Sequence, residues 1–282
     1  MSNTYPSSRL HDLIAHSRYE VMPTAKIVDQ VTQHVPTEVP ITITAAQGKG
    51  LEATLSTTVD LARLGYRVVP HLAARMIHGR TELEEIVARL TAEGITSVFV
   101  PAGDATPPVG DYVQALDLLR DLDALGRPFT HVGITGYPES HPTIDDDVTI
   151  QAMWDKRQYA THLVSNMTFS DEHFSQWIER VRRRGVTLPV LVGVPGPVER
   201  AKLLRMATVI GVGESMRFLK KQRSIFARIA APGFHPDKFV TRVSALSAEP
   251  NLAIEGFHVF TFNQVDVIEA WRQRLLAAPA PR

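Results

Sequence analysis

The sequence predicts one α/β domain in which eight parallel strands close into a (β/α)8 barrel. Three observations carry that expectation. From Arg18 onward, short apolar, β-branched runs alternate eight times with stretches of helical periodicity. The length of 282 residues is close to the roughly 250 typical of such barrels. No composition break or low-complexity linker divides the chain, which favours closure over the competing doubly wound open sheet.

The elements follow in order. Tyr19-Glu-Val-Met22 is the first strand, stopped by Pro23, and Ala25 to Val35 form a helix. Val39 to Thr44 is the second strand; after Gln47-Gly-Lys-Gly50, residues Leu51 to Leu64 make a helix closed by Gly65. Tyr66 to Leu72 is the third strand. The next helix opens at Thr81-Glu-Leu-Glu, read as a capping box with Thr81 and Glu84, and ends at Gly94. Ile95 to Val100 is the fourth strand, and Asp111 to Leu125 its helix. The fifth strand starts at Phe129 and runs into a stiff loop, Gly136-Tyr-Pro-Glu-Ser-His-Pro142, in which two prolines each hold the preceding residue extended. Asp145 to Tyr159 is helical, Thr161 to Met167 the sixth strand, and Ser170 to Arg184 a helix. Leu188 to Gly193 and the helix Val198 to Val209 make the seventh unit. Gly213 to Leu246 is an insertion, helical in two pieces, before the eighth strand, Gly256 to Phe262, and the closing helix, Val265 to Leu276.

Residues 1–17 are read as an N-terminal extension, 18–276 as the barrel with its insertion at about 213–246, and 277–282 as a frayed tail. An apolar content of 44% and a charged content of 21% suit a soluble protein with a sizeable core. Formal net charge is zero and no basic stripe carries interleaved aromatics, which argues against nucleic acid and anionic membrane as partners. The absence of cysteine excludes disulfides, thiolate metal sites and a Cys nucleophile. The N-terminus lacks the apolar core of a secretory signal, and no apolar run approaches the ~20 residues that span a bilayer, so the expected location is cytoplasmic. Nothing in the chain sets an oligomeric state.

In such a barrel the chemistry sits on the loops that follow the strands. Those loops carry Glu20, Thr44, Gln47, His71, Asp104, Tyr137, Glu139, His141, Asn166 and Asn263. Glu20 is the most informative. It lies inside a strand, where a charge is costly unless paired or kept protonated, and burial would make it a general acid near neutral pH. The alternative is a surface glutamate on a poorly placed strand. Asp104, between Gly103 and a proline-rich turn, either hydrogen-bonds a heterocycle or caps that turn; His71 is a site group or a core histidine bonded to a carbonyl. The loop at Tyr137 to His141 either binds a ligand or caps the next helix. Eleven histidines show no ligand spacing and HExxH is absent, so no metal is expected. Gln47-Gly-Lys-Gly50 fits neither the Walker A pattern nor GxGxxG.

Taken together these stretches resemble the methylenetetrahydrofolate reductase family. The strongest match is Gly136-Tyr-Pro-Glu-Ser-His-Pro142, similar to the family's Tyr-Pro-Glu-x-His-Pro loop. In order along the chain, Tyr19-Glu-Val-Met-Pro23, Ile41-Thr-Ile-Thr44, Pro70-His-Leu72, Gly103-Asp104 and Phe257-His-Val-Phe-Thr-Phe-Asn263 resemble further family motifs.

The resemblance implies FAD, which accepts hydride from NADH or NADPH and passes it to the one-carbon unit of 5,10-methylenetetrahydrofolate, giving 5-methyltetrahydrofolate in one-carbon metabolism. It implies that Glu20 protonates the folate ring nitrogen and that Asp104 contacts the pterin and tunes the flavin. Thr44, His71, Asp104, Gly136, Tyr137 and His141 would line the flavin, Lys156 or Arg157 would meet its diphosphate, and Asn166 and Phe218 would contact folate. Departures are Val21-Met-Pro-Thr24 for a more aromatic motif, Ala102 for an Arg, Asn166 for a Gln and Met167-Thr168 within an aromatic run. These bear on the cofactor more than on the reaction. Two alternatives therefore stand beside the flavin scheme: direct hydride transfer from NADH to folate, and a non-redox tetrahydrofolate-binding barrel that partners a methyltransferase. The basic residues Arg217, Lys220, Lys221, Arg223 and Arg228 of the insertion are either a solvated face or an attraction for folate's glutamate tail.

Overall fold

Eight parallel strands hydrogen-bond in the order β3-β2-β1-β8-β7-β6-β5-β4. They are β1 Arg18–Val21, β2 Ile41–Ile43, β3 Val68–Pro70, β4 Ser97–Phe99, β5 His131–Gly136, β6 His162–Ser165, β7 Val190–Pro195 and β8 Ile254–Phe260. The structure is a computed structural model and describes residues 6–45, 47–141, 143–197 and 236–277. The two ends of the sheet, β3 and β4, meet through one bridge, His71 to Phe99, and through Leu72 N–H donating to Phe99 O at 2.8 Å. That seam closes the ring as a (β/α)8 barrel.

Nine helices occur among the described residues: α1 Pro6–Ala15, α2 Ile27–His34, α3 Gly50–Arg63, α4 Arg80–Ala92, α5 Ala115–Ala124, α6 Asp146–Lys156, α7 Asp171–Arg183, α8 Pro236–Leu246 and α9 Val265–Ala277. Most of the core lies between strands and helices, as in α7, which buries Phe174, Trp177, Ile178 and Val181 on one stripe. Ser170 caps that helix by accepting from His173 N–H, as its sequence suggests. Among the described residues no helix is long and apolar enough to cross a membrane.

Two local readings change. Thr81 does not cap: α4 begins at Arg80 with Gly79 ahead of it, and Glu82 accepts from His78 N–H at 2.6 Å instead. Within residues 1–17, where no element was assigned, α1 packs on α8, α9 and β8 and buries Leu13 and Ile14. The predicted helix Val198 to Val209 and the first piece of the insertion lie outside the described residues; its last part is α8.

The barrel lumen differs from the outer core. Successive residues of a strand face opposite sides. Tyr19 points outward, its hydroxyl donating to Glu269 of α9 at 2.6 Å. Arg18 and Glu20 therefore point inward, where His258 of β8 meets both. A small apolar group, Val69, Phe99 and Val164, forms a cluster separate from the main core. Beside it, Arg18, Glu20, His258 and His162 make a polar column.

Candidate active site

The column is built from residues far apart in sequence. The Arg18 Nε–H donates to His258 Nδ1 at 3.0 Å, and His258 Nε2 lies 2.9 Å from Glu20 Oε2. His71 Nε2 approaches the same oxygen at 3.5 Å without forming a hydrogen bond. Lower down, Arg18 Nη1 is 3.2 Å from His162 Nε2. Closure puts β1 beside β8, in register Arg18 to His258 and Glu20 to Phe260, and this joins residues about 240 positions apart.

Glu20 is not a surface residue, since its side chain is only 16% exposed. Burial pushes its carboxyl above the ordinary carboxylate range, against the lowering pull of His71 and Arg18. Burial holds the imidazoles neutral, His71 at about 4 and His258 well below its usual value, the latter helped by the Arg18 charge. Burial also lowers Arg18 to about 10, so it stays a cation at neutral pH. A carboxyl that holds its proton, gripped on one oxygen by a neutral ring, has the character of a general acid.

The rim above Glu20 carries the other predicted residues. Tyr137 and His141 meet edge to face at 4.9 Å. Burial first, and the Asp104 carboxylate second, push the Tyr137 hydroxyl up to about 12, so Asp104 and Tyr137 face the same space. Asp104 is exposed on the loop after β4, and Arg75 donates to the carbonyl of Ala105 next to it at 2.7 Å. That places on this loop a cation that the sequence reading did not single out. Thr143 N–H donates to His141 Nδ1 at 3.2 Å, which leaves the ring's Nε2 as the protonated nitrogen of its neutral form. Asn166 spends its side-chain oxygen on Met167 N–H at 2.8 Å, and its amide nitrogen makes no hydrogen bond among the described residues.

Other rim residues have structural work. Glu139 accepts from Phe169 N–H at 2.9 Å and Ser170 N–H at 3.1 Å, anchoring its loop to the start of α7. Asn263 clamps the loop after β1, accepting from Met22 N–H and donating to Met22 O and Thr24. Lys49 of the glycine-rich turn donates to Pro23 O at 2.9 Å. Gly136 turns its bare side outward: a Cβ there would stand 2.5 Å from the Trp177 ring, so packing alone requires a glycine at this position. Arg157 is also spoken for, lying 3.7 Å over the Trp154 ring and donating to the Trp154 carbonyl. Phe218 lies outside the described residues.

Besides the Asn166 amide, three more of the predicted groups make no hydrogen bond among the described residues. Thr44 Oγ1 and His71 Nε2 are buried without a hydrogen bond. Lys156, whose ammonium burial lowers to about 8, makes no hydrogen bond among the described residues. Buried polar groups are normally satisfied. A hydroxyl and an imidazole at adjacent strand ends suit the polar edge of a flavin ring, while Lys156 is the last residue of α6, on the side where the chain re-enters the barrel at β6. Among the described residues no cluster of three or more His, Asp or Glu is placed to hold a metal. A cavity of about 570 Å3 opens at the barrel's other, N-terminal mouth, with Arg18 and His162 in its lining. It marks the lower end of the column, away from the rim.

Comparison with known proteins gives the family. Two curated relatives each align over a limited stretch. Methylenetetrahydrofolate reductase 2 of Saccharomyces cerevisiae is 26% identical over 106 residues, 36% of this chain and 18% of that protein. Methylenetetrahydrofolate reductase 1 of Schizosaccharomyces pombe is 26% identical over 118 residues, 41% of this chain and 20% of that protein. The aligned part thus spans about a fifth of each relative's length. Among solved structures, oxaloacetate acetylhydrolase is similar at 12% identity and a TM-score of 0.49, covering 87% of this chain and 98% of that one. The sequence profile described as methylenetetrahydrofolate reductase matches residues 20–273, from the buried acid to the closing helix, and the chain belongs to that family.

Proposed function

We propose that this barrel interconverts 5,10-methylenetetrahydrofolate and 5-methyltetrahydrofolate, with NADH or NADPH as hydride donor and Glu20 as proton donor to the folate. The observation that carries the reading is the buried Glu20, raised in pKa and bonded to His258 at 2.9 Å. Its family membership supplies the substrate class.

Glu20 gives its proton to the ring nitrogen of the bound folate, and the carbon–nitrogen bond of the five-membered ring breaks. The one-carbon unit becomes an iminium, and hydride addition to its carbon yields the methyl group. The carboxylate left behind keeps the hydrogen bond from His258. Asp104 and the free amide of Asn166 would hold the pterin, and Tyr137 and His141 would wall the cavity. Thr44 and His71 would meet the ring of an FAD. FAD, when bound, supplies a carrier for hydride between nicotinamide and folate.

The test is to incubate the purified protein anaerobically with NADH and 5,10-methylenetetrahydrofolate and follow 5-methyltetrahydrofolate by chromatography. Product formation is expected, and its absence with NADH and with NADPH refutes the assignment. A visible flavin spectrum that NADH bleaches is expected for the FAD form. A colourless, active protein would instead favour direct hydride transfer.

A further inference from the structure

The hydrogen bonds of the polar column determine where its protons lie. Arginine has donors and no acceptor. The Arg18 Nε–H contact to His258 Nδ1, at 3.0 Å, therefore requires an unprotonated Nδ1, and the ring's proton is on Nε2. That Nε2–H points at Glu20 Oε2, 2.9 Å away. His71 also approaches Oε2, at 3.5 Å, and neither ring hydrogen-bonds Oε1. The other arm of the guanidinium acts in the same way. Nη1 donates to His162 Nε2 at 3.2 Å, so His162 carries its proton on Nδ1, 3.0 Å from Thr161 Oγ1. Thr161 in turn donates to Val132 O at 3.2 Å and accepts from Val132 N–H at 2.9 Å, so its second lone pair is the acceptor for His162. One fork fixes two rings, its Nε and Nη1 donors each meeting a ring nitrogen.

We infer that Arg18 is a positioning residue: by occupying the Nδ1 lone pair of His258 it holds the ring as the Nε2–H tautomer, so that Glu20 Oε2 accepts and Oε1 carries the transferable proton. The tautomer follows from the contacts alone; the purpose of the proton rests on the proposed folate reaction. Without Arg18 the ring proton is free to move to Nδ1. His258 Nε2 then accepts from Glu20, and the acidic proton turns from the rim toward β8.

Arg18 is 6% exposed and its Nη2 is buried without a hydrogen bond, so its placement is costly unless the column needs it. The charged and titratable groups facing Glu20 are His71 from β3, His258 from β8 and Arg18 from β1, with His162 and His131 behind Arg18. Burial keeps His71 near 4 and His162 near 3, so Arg18 is the cation in the set at neutral pH. Removing it lets Glu20 hold its proton to higher pH, and a change of tautomer at His258 acts in the same direction.

The direct test is nitrogen NMR of ¹⁵N-histidine-labelled protein as purified, with the His258 signals identified by their loss in His258→Gln. The parent is expected to show a protonated Nε2 and a bare Nδ1. Arg18→Met is expected to show both tautomers. A parent His258 protonated on Nδ1, or a tautomer unchanged in Arg18→Met, overturns the inference whether or not the protein reduces folate. In folate turnover, Arg18→Met should lower kcat roughly tenfold with little change in KM. The alkaline limb of its pH profile should rise by about one unit. An unmoved limb with mixed tautomers would remove the effect on Glu20. Absence of folate turnover in the parent would overturn the folate reading and leave the NMR result standing. Arg18→Lys, which keeps the charge but loses the planar fork, should show mixed tautomers with the limb near its parental position, and covers the case in which Arg18→Met does not fold.

Discussion

Replacing Glu139 separates a structural role from a chemical one at the strongest sequence motif. Its side chain, 10% exposed, accepts from Phe169 N–H at 2.9 Å and Ser170 N–H at 3.1 Å and lies 3.2 Å from His173 Nδ1. The two backbone donors stand at the start of α7, where a carboxylate also meets the favourable end of the helix dipole. A hydrogen bond to a charged group is worth about 1.5–3 kcal/mol. The exposed His173 contact adds little. With partial access of water to the orphaned donors, Glu139→Ala should cost about 2–4 kcal/mol. Glu139→Gln keeps one carbonyl acceptor and should cost about 1 kcal/mol. In a thermal melt followed by circular dichroism, the alanine variant should unfold about 5–12 °C lower. Its folate turnover should fall less than tenfold, since Tyr137 is loosened but present. An alanine variant that melts like the parent, together with a glutamine variant that loses turnover, would refute the reasoning and make Glu139 a group that acts on substrate.

Gly136→Ala should destabilise the protein by about 1–3 kcal/mol, because its Cβ would meet the Trp177 ring at 2.5 Å in a packed core; an unchanged urea midpoint would contradict that packing. Acid sensitivity should begin above the carboxylate range. The folded-state pKa values of His71 and His162, about 4 and about 3, lie below the ordinary 6.5, so the unfolded chain binds more protons as pH falls. Stability should fall from about pH 6.5 downward, with His71 alone contributing on the order of 1–2 kcal/mol by pH 5. A melting temperature flat between those values would show that these rings are not buried in neutral form. Deleting residues 1–17 should lower the melting temperature, since Leu13 and Ile14 each bury a side chain worth roughly 1.5–3 kcal/mol; a truncated protein as stable as the parent would show that α1 is dispensable.

The strand-helix alternation made the barrel legible, because each run is short, apolar and punctuated. The interior column was legible only at Glu20, where an acid inside a strand stands out. Arg18 shares the inward parity of Glu20, but an arginine just ahead of the strand Tyr19 to Met22 has the same sequence signature as a solvated flanking residue. His258 lies 238 positions from Glu20, and only closure of the ring brings them together. Glu139 and Asn263 looked like rim ligands because a residue that caps backbone donors and one that binds substrate share the same chemistry. The helix α1 carries Leu10, Leu13 and Ile14 at helical spacing, a signal hidden by the Ser- and Pro-containing residues before it. The cap of α4 was missed for a related reason: Thr81 and Glu84 fit the capping pattern, but the chain enters the helix one residue earlier, at Arg80.

The most direct measurement is folate turnover and folate affinity of Glu20→Gln, side by side with the parent at neutral pH. A proton donor lost from a site otherwise intact should reduce turnover about 10²–10⁴-fold. Folate affinity should stay within a few-fold of the parent. Turnover preserved in the glutamine variant would show that the folate receives its proton from elsewhere, and the column beneath Glu20 would have no part in the chemistry.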